Sequence, residues 1–182
     1  MSATFVERRK EYRLPFEDKI IFSDGKRTYT GYALNISRGG LFVTSLDPFP
    51  IETHGHIAFF LPQRETCLTF KAKVVHIVFD RQRCEVENGM GFMFMDMTSE
   101  QKELIDNHIR ADQDCYLELK RLLAADRPDA QQMQEQLQRL PSLRRHDLLA
   151  LRYRVNRICT LFEAPSATNP SFPQKNSTPS AA

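Results

Sequence analysis

The sequence predicts a mainly β domain followed by an α-helical region. Six short stretches between residues 16 and 97 show the alternating apolar residues and flanking turn residues of β-strands. Between residues 98 and 163, apolar residues instead recur every three or four positions, which is the spacing of helices. No long helices alternate with the strands, so a parallel sheet is disfavoured and a small antiparallel barrel or sandwich is favoured.

The first two predicted strands lie on either side of Asp24-Gly25, a pair that is typical of a hairpin turn. The segments GLFVTS and HIAFFLP then supply two more strands. The fifth, CLTFKAKVVHIVFD, is predicted to present one continuous face, formed by Leu68, Phe70, Ala72, Val74, His76 and Val78. In the sixth, GMGFMFMDM, Phe92 and Phe94 alternate with methionines.

The helical region begins with Thr98 and Gln101, whose spacing predicts a capping box. The inner face of this first helix is predicted to consist of Ile105, Ile109, Asp112, Tyr116, Leu119 and Leu123. Asp112 is the one polar residue in that series. Residues 126–129, DRPD, are expected to end the helix.

Two further helices are predicted after this break. The second passes through Met133, Leu137 and Leu140, and Pro141-Ser142 can start the third. The third carries a short heptad seam of Leu148, Leu151, Val155, Ile158 and Phe162. Residues 164–182 contain four prolines and little apolar bulk, which predicts disorder.

The composition is that of an ordinary globular protein, with 41% hydrophobic and 26% charged residues among 182. The net charge of +2 does not favour coating of DNA. With no apolar run of about 18 residues and no apolar signal segment, we expect a cytoplasmic protein without membrane insertion. The cysteines are expected to be reduced and partly buried, and they are Cys67, Cys84, Cys115 and Cys159.

Signals for an enzyme are weak. His54 and His56 could offer two imidazoles to a metal, but structural zinc normally takes four ligands. Neither a nucleophile elbow nor a phosphate-binding Walker loop occurs. We therefore expect a non-enzymatic protein with neither a metal nor a cofactor.

Two polar segments stand out together. Arg9-Lys-Glu-Tyr-Arg13 precedes the first predicted strand, and Asn35-Ile-Ser-Arg-Gly-Gly40 lies between two strands. Each segment alone is also compatible with a solvated charge run or a plain tight turn. In this order and spacing, the pair resembles the RxxxR and [D/N]xSxxG motifs of the PilZ family of cyclic di-GMP receptors. The segment GMGFMFMDMTSEQKELIDNHI resembles the family's last strand and closing helix, so that the resemblance covers roughly residues 5–110.

The resemblance implies a six-stranded antiparallel barrel that binds cyclic di-GMP. Together with the helical and proline-rich patterns outside the resemblance, it divides the chain into a flexible ligand-binding segment (1–15), a barrel with its closing helix (16–124), a helical extension (125–163) and the disordered tail (164–182). The implied ligand-binding residues are Arg9, Arg13, Asn35, Ser37 and Gly40. Arg8, Arg38 and Gly39 are additional candidates.

The residue types suit that ligand. Arginine can bond the O6 and N7 edge of guanine in a bidentate fashion, stack on a base and attract phosphate. Asn35 and Ser37 offer short polar groups, and glycines allow close approach of the backbone. We expect binding to order the segment that carries Arg9 and Arg13, which would relay the signal to a protein partner. The resemblance implies motility, biofilm or exopolysaccharide output in a bacterium.

Other interpretations remain open from the sequence. Tyr29 and Tyr32 near Lys26 and Arg27 give thin support for a small-barrel binder of single-stranded nucleic acid. A scaffold with the fold but no ligand is a third class. The predicted third helix could also form a homodimer through its seam. Its basic face is either solvated or a docking surface for an acidic partner, and it carries Arg144, Arg145, Arg152, Arg154 and Arg157.

Overall fold

The structure is a computed structural model that describes residues 12–61, 67–79 and 88–163. It contains seven strands: β1 (Leu14–Pro15), β2 (Lys19–Ser23), β3 (Thr28–Ser37), β4 (Gly40–Thr44), β5 (His54–Phe60), β6 (Cys67–Val78) and β7 (Gly89–Met95). Three helices follow: α1 (Ser99–Ala124), α2 (Ala130–Arg139) and α3 (Leu148–Glu163). Arg8, Arg9, Cys84 and the predicted disordered tail lie outside the described residues.

The strands close into an antiparallel barrel of six strand positions. Each of β2, β3, β4, β7, β6 and β5 pairs with the next in this order, and β5 pairs back with β2. The short β1 shares a strand position with β2, because both pair with β3, at Leu14↔Ile36 and at Lys19↔Tyr32. Between them, Phe16 N donates to Leu34 O at 3.0 Å. The predicted six-stranded barrel is confirmed.

Phenylalanine rings fill the barrel because alternate residues of each strand point inward. The Phe70 and Phe94 ring centroids are 4.7 Å apart, and those of Phe59 and Phe70 are 5.4 Å apart. Phe92 and Phe94 are buried while Met93 between them is exposed, as the sequence predicted. The hairpin predicted at Asp24-Gly25 also forms, with Gly25 at a φ of 87°.

The predicted continuous face of β6 is wrong beyond Val74. The pairing with β7 shifts between Val74 and His76, so Val75 has no partner opposite it. One extra residue reverses the alternation. Consequently His76, which was predicted to share the face of Phe70, is exposed.

The helix α1 connects the barrel to the rest of the helical region. The Thr98 side chain accepts from Gln101 N at 3.1 Å and Gln101 Oε1 accepts from Thr98 N at 3.0 Å, which confirms the capping box. The first turns of α1 lie against the barrel, where Gln101 Nε2 donates to Thr69 O at 2.9 Å. Its later turns pack against α3, where Cys159 Sγ lies 3.5 Å from Tyr116 O.

The third helix begins later than Pro141-Ser142. Residues Pro141–Leu143 form only a single 3-10 turn. Asp147 Oδ1 then accepts from Ala150 N at 2.8 Å, which caps the start of α3 at Leu148. Leu148 is consequently half exposed rather than part of a continuous seam. Of the predicted seam, Leu151 and Val155 are buried and Ile158 and Phe162 are partly buried against the core, while Cys159 is a buried residue that the seam did not include.

Candidate functional site

The two polar segments predicted from the sequence meet where β1 pairs with the end of β3. The pairs Leu14↔Ile36 and Pro15↔Asn35 place the chain just before β1 beside the end of β3. There Arg13 Nη1 donates a hydrogen bond to Asn35 Oδ1 at 3.2 Å. Both side chains are half-buried, so this contact lies at a partly solvated edge of the barrel.

The spacing of Asn35 and Ser37 follows from the alternation of a strand. Residues two apart on β3 share a face, and the residue between them points the opposite way. Ile36 accordingly enters the core and is fully buried, while Asn35 lies on the side that meets Arg13. The N-x-S pattern therefore places two polar side chains on the same face as the arginine.

The β3–β4 turn is held tightly. Ser37 Oγ donates to Gly40 O at 3.3 Å, and Ser37 is itself buried. Gly39 O accepts from Phe94 N at 2.9 Å, which fastens the turn to β7. A Cβ atom on Gly40 would lie 1.9 Å from Phe92 O, so only glycine fits here, and the requirement is close approach rather than a positive φ.

Arg38, the residue at the tip of this turn, points toward α1. Its Nε lies 2.9 Å from Asp106 Oδ1, with side-chain exposures of 48% and 33%. Arg38 is one of the additional candidates predicted from the sequence, whereas its partner Asp106 was not predicted. No local pattern could have indicated this partner, since the two residues are brought together only by the packing of α1 on the barrel.

Tyr12 is a second residue whose contacts the sequence does not predict. It lies inside the Arg9–Arg13 motif and hydrogen-bonds Gln113 of α1. Its ring also contacts Phe162 of α3, with centroids 5.9 Å apart. The one available signal was an aromatic residue between the motif's basic residues.

A small cavity of about 30 Å³ lies behind β1, between Pro15–Asp18 and the α2–α3 connection. Asp112 lines it, and burial raises the pKa of Asp112 to about 7, an effect that Arg139 opposes. Nearby, burial lowers the pKa of His108 to about 4. His108 Nε2 lies 3.8 Å from Asp112 Oδ2, beyond hydrogen-bonding distance. Asp112, the polar residue predicted on the inner face of α1, therefore holds its proton below pH 7, where an exposed aspartate would be ionised.

Other candidate residues are not gathered into this site. His54 and His56 are exposed on β5, and within the described ranges no three or more His, Cys, Asp or Glu side chains are grouped closely enough to hold a metal ion. The Tyr29 hydroxyl donates a hydrogen bond to Thr44 O, which ties this side chain to the end of β4. Cys67 is exposed, whereas Cys115 and Cys159 are buried.

The geometry defines a class of protein. Its members have a closed β-barrel with six strand positions, and a segment that carries an arginine contacts a polar turn of the barrel. The PilZ domain family model matches residues 7–111. The chain belongs to the PilZ domain family, as the sequence motifs indicated. No curated protein sequence matches the chain significantly.

Solved structures share the fold. The Bacillus subtilis inhibitor of motility (MotI/DgrA) is 19% identical, with a TM-score of 0.50, over 60% of this chain and 53% of that one. The K. pneumonia MrkH–c-di-GMP complex is 19% identical, with a TM-score of 0.50, over 64% and 56%. The chain therefore matches only about half the length of each of these proteins. Among the described helices, none has the length and hydropathy needed to cross a bilayer.

Proposed function

We propose that this chain is a non-enzymatic receptor for cyclic di-GMP, which binds where Arg13 meets the Asn35–Gly40 turn. The observation that carries the proposal is the 3.2 Å hydrogen bond between Arg13 Nη1 and Asn35 Oδ1. It supports a shared site because it joins the two motifs that characterise ligand-binding members of the family. The MrkH structure, which has the same fold, was determined as a c-di-GMP complex.

The chemistry of the site suits a cyclic dinucleotide. A guanidinium can donate two hydrogen bonds to O6 and N7 of guanine and can neutralise a phosphate. In the proposed complex Arg13 and Arg9 serve these roles from one side. The Asn35 amide and the backbone of the turn form the other wall, while Ser37 holds the turn through its bond to Gly40 O.

The proposed output is conformational. The segment that carries Arg9 and Arg13 becomes ordered on the ligand, which changes the surface shown to a protein partner. The proposed division of the chain is a ligand-binding segment (1–15), a barrel with its closing helix (16–124) and a helical extension (125–163). The proposed cellular output is control of motility or biofilm formation, and the proposed location is the cytoplasm of a bacterium.

Arg13→Ala tests the assignment of the site. The charged, bidentate contact is expected to contribute about 1–3 kcal/mol, so its removal should weaken binding by about 5- to 150-fold. The side chain is half-buried at the barrel rim, and the fold should survive its truncation. Isothermal titration calorimetry with cyclic di-GMP measures the change.

Lys26→Ala provides the matched control. This exposed cation lies in the β2–β3 turn, at the opposite end of β3 from Asn35. Its truncation removes the same formal charge but should leave the dissociation constant unchanged. Equal weakening by both substitutions would show nonspecific electrostatic attraction instead of the proposed site.

A further inference from the structure

Two adjacent side chains of the arginine segment point in opposite directions. Arg13 reaches Asn35 at the end of β3. Tyr12 instead contacts the helices, through a hydrogen bond with Gln113 of α1 and a ring contact with Phe162 of α3. Because neighbouring side chains in extended chain alternate in direction, anchoring Tyr12 on the helices aims Arg13 at Asn35.

Both walls of the proposed site touch the same helix. The turn contacts α1 through Arg38 and Asp106, and the arginine segment contacts it through Tyr12 and Gln113. Asp106 and Gln113 are seven residues apart, which is two helical turns, or about 10 Å along one face. The position of α1 therefore sets the spacing between the two walls.

The helix α3 packs against α1 and also contacts Tyr12. Val155 and Cys159 are fully buried, and Cys159 Sγ lies 3.5 Å from Tyr116 O, three residues along α1 from Gln113. Phe162, three residues beyond Cys159, meets the Tyr12 ring at a centroid distance of 5.9 Å and an interplanar angle of 53°. Tyr12 thus sits where α1 and α3 meet.

We propose that Tyr12 is a positioning residue through which the docking of α3 on α1 sets the affinity of the arginine segment for its ligand. This inference rests on the proposed function and extends it to the region after residue 124. When α3 is docked, Tyr12 is held on two sides and Arg13 is presented to Asn35. When α3 is displaced, Tyr12 loses the Phe162 contact and is held only through Gln113, so the ligand must supply more of the ordering of the segment.

Thermodynamic linkage makes the relation reciprocal. If docked α3 favours ligand binding, bound ligand must favour docked α3 by the same factor. A partner that binds α3 when it leaves α1 would then be released by the ligand. Under this proposal the docking of α3 on α1 responds to whether the ligand is bound, although the residues of α3 lie away from the Arg13–Asn35 contact.

Calorimetric titration of full-length variants with cyclic di-GMP tests the proposal. Phe162→Ala removes the ring that faces Tyr12, and Tyr12→Phe removes the hydroxyl that bonds Gln113 while keeping the ring. Each is expected to weaken binding by about fivefold or more, the lower end of typical coupling between sites. Phe162→Tyr retains the ring and should restore affinity to within about twofold of the unaltered protein.

Leu161→Ala is the matched control on α3, because Leu161 is 51% exposed and neighbours Phe162. It should leave the dissociation constant unchanged. Hydrogen exchange of residues 151–159 provides the reciprocal measurement: ligand should slow exchange in the unaltered protein and have a smaller effect in Phe162→Ala.

The outcomes separate the two proposals. If the unaltered protein does not bind cyclic di-GMP, the proposed function is overturned and the inference falls with it. If it binds, and Tyr12→Phe and Phe162→Ala bind equally well while Arg13→Ala does not, only the positioning role is overturned. Weakening by Leu161→Ala as large as that by Phe162→Ala would also overturn it.

Discussion

Arg13 Nη1 donates a hydrogen bond to Asn35 Oδ1 across 3.2 Å, and the two residues are 22 positions apart in the chain. The contact depends on the pairing of β1 with the end of β3, which brings the two polar segments to one edge of the barrel. A solvated charge run and an independent tight turn would not require this meeting. The two segments therefore form one structural unit.

The first prediction concerns the coupling of these two residues. If both contact one ligand, the losses of affinity in Arg13→Ala and Asn35→Ala should not add in the double variant, with an interaction energy of about 0.5–3 kcal/mol. Calorimetric titration of the four proteins with cyclic di-GMP measures it. Losses that add to within about 0.5 kcal/mol would contradict a shared site.

A second prediction concerns Arg38. Its ion pair with Asp106 is partly exposed, so Arg38→Ala should change the free energy of unfolding by less than about 1 kcal/mol. We propose that Arg38 makes an auxiliary contact to a phosphate of the ligand, so affinity should fall less than tenfold. The loss should be smaller at high salt, because exposed charges are screened. Titration at two ionic strengths measures the effect. Loss of binding as complete as in Arg13→Ala would contradict this ranking.

The third prediction concerns the close approach at Gly40. In Gly40→Ala the new Cβ would meet Phe92 O at 1.9 Å, so the turn must shift, and the free energy of unfolding should fall by more than about 2 kcal/mol. Gly91→Ala on β7 is the control, because its Cβ would meet His76 Cβ at an ordinary 3.4 Å. Its effect on the free energy of unfolding should stay below about 1 kcal/mol, the span of strand propensities. Urea denaturation distinguishes the two, and equal losses would refute the explanation.

The fourth prediction concerns the pH dependence of stability. Burial raises the folded-state pKa of Asp112 from 3.8 to about 7, so the folded state holds a proton that the unfolded state has released. The protonated Asp112 therefore makes its full contribution to the free energy of unfolding below about pH 4. This contribution is lost as the pH rises from about 4 through 7. The loss is at most about 4 kcal/mol, at 1.36 kcal/mol per pKa unit.

Asp112→Asn removes that titration. Relative to the unaltered protein, the variant should be more stable at pH 8 than at pH 5, as measured by urea denaturation at both values. His108 acts in the opposite sense, since its pKa of about 4 makes stability rise with pH between 4 and 6.5. Comparing each variant with the unaltered protein at the same pH cancels the His108 contribution. A relative stability that is independent of pH would contradict the raised pKa of Asp112.

Local signals in the sequence were sufficient for much of the fold. Asp24-Gly25 specified a hairpin, Thr98 and Gln101 specified the start of α1, and alternation placed Phe92 and Phe94 in the core. Each of these depends on residues within a few positions of one another. They are therefore visible in sequence periodicity and turn chemistry.

The remaining features depend on long-range packing. The unpaired Val75 in β6 arises from the register with β7, which the alternation of β6 itself does not contain. Likewise, the contact of Tyr12 with Gln113 spans 101 positions and exists only because α1 packs beside β1. The two motifs were visible in the sequence, but their attachment to α1 and α3 was not.

The most direct measurement of the central claim is a calorimetric titration of the unaltered full-length protein with cyclic di-GMP, with GTP and a single-stranded oligonucleotide as parallel titrants. A saturable binding isotherm with cyclic di-GMP, and none with the other two, is the predicted result. No binding of cyclic di-GMP, or tighter binding of the oligonucleotide, would contradict the proposed function.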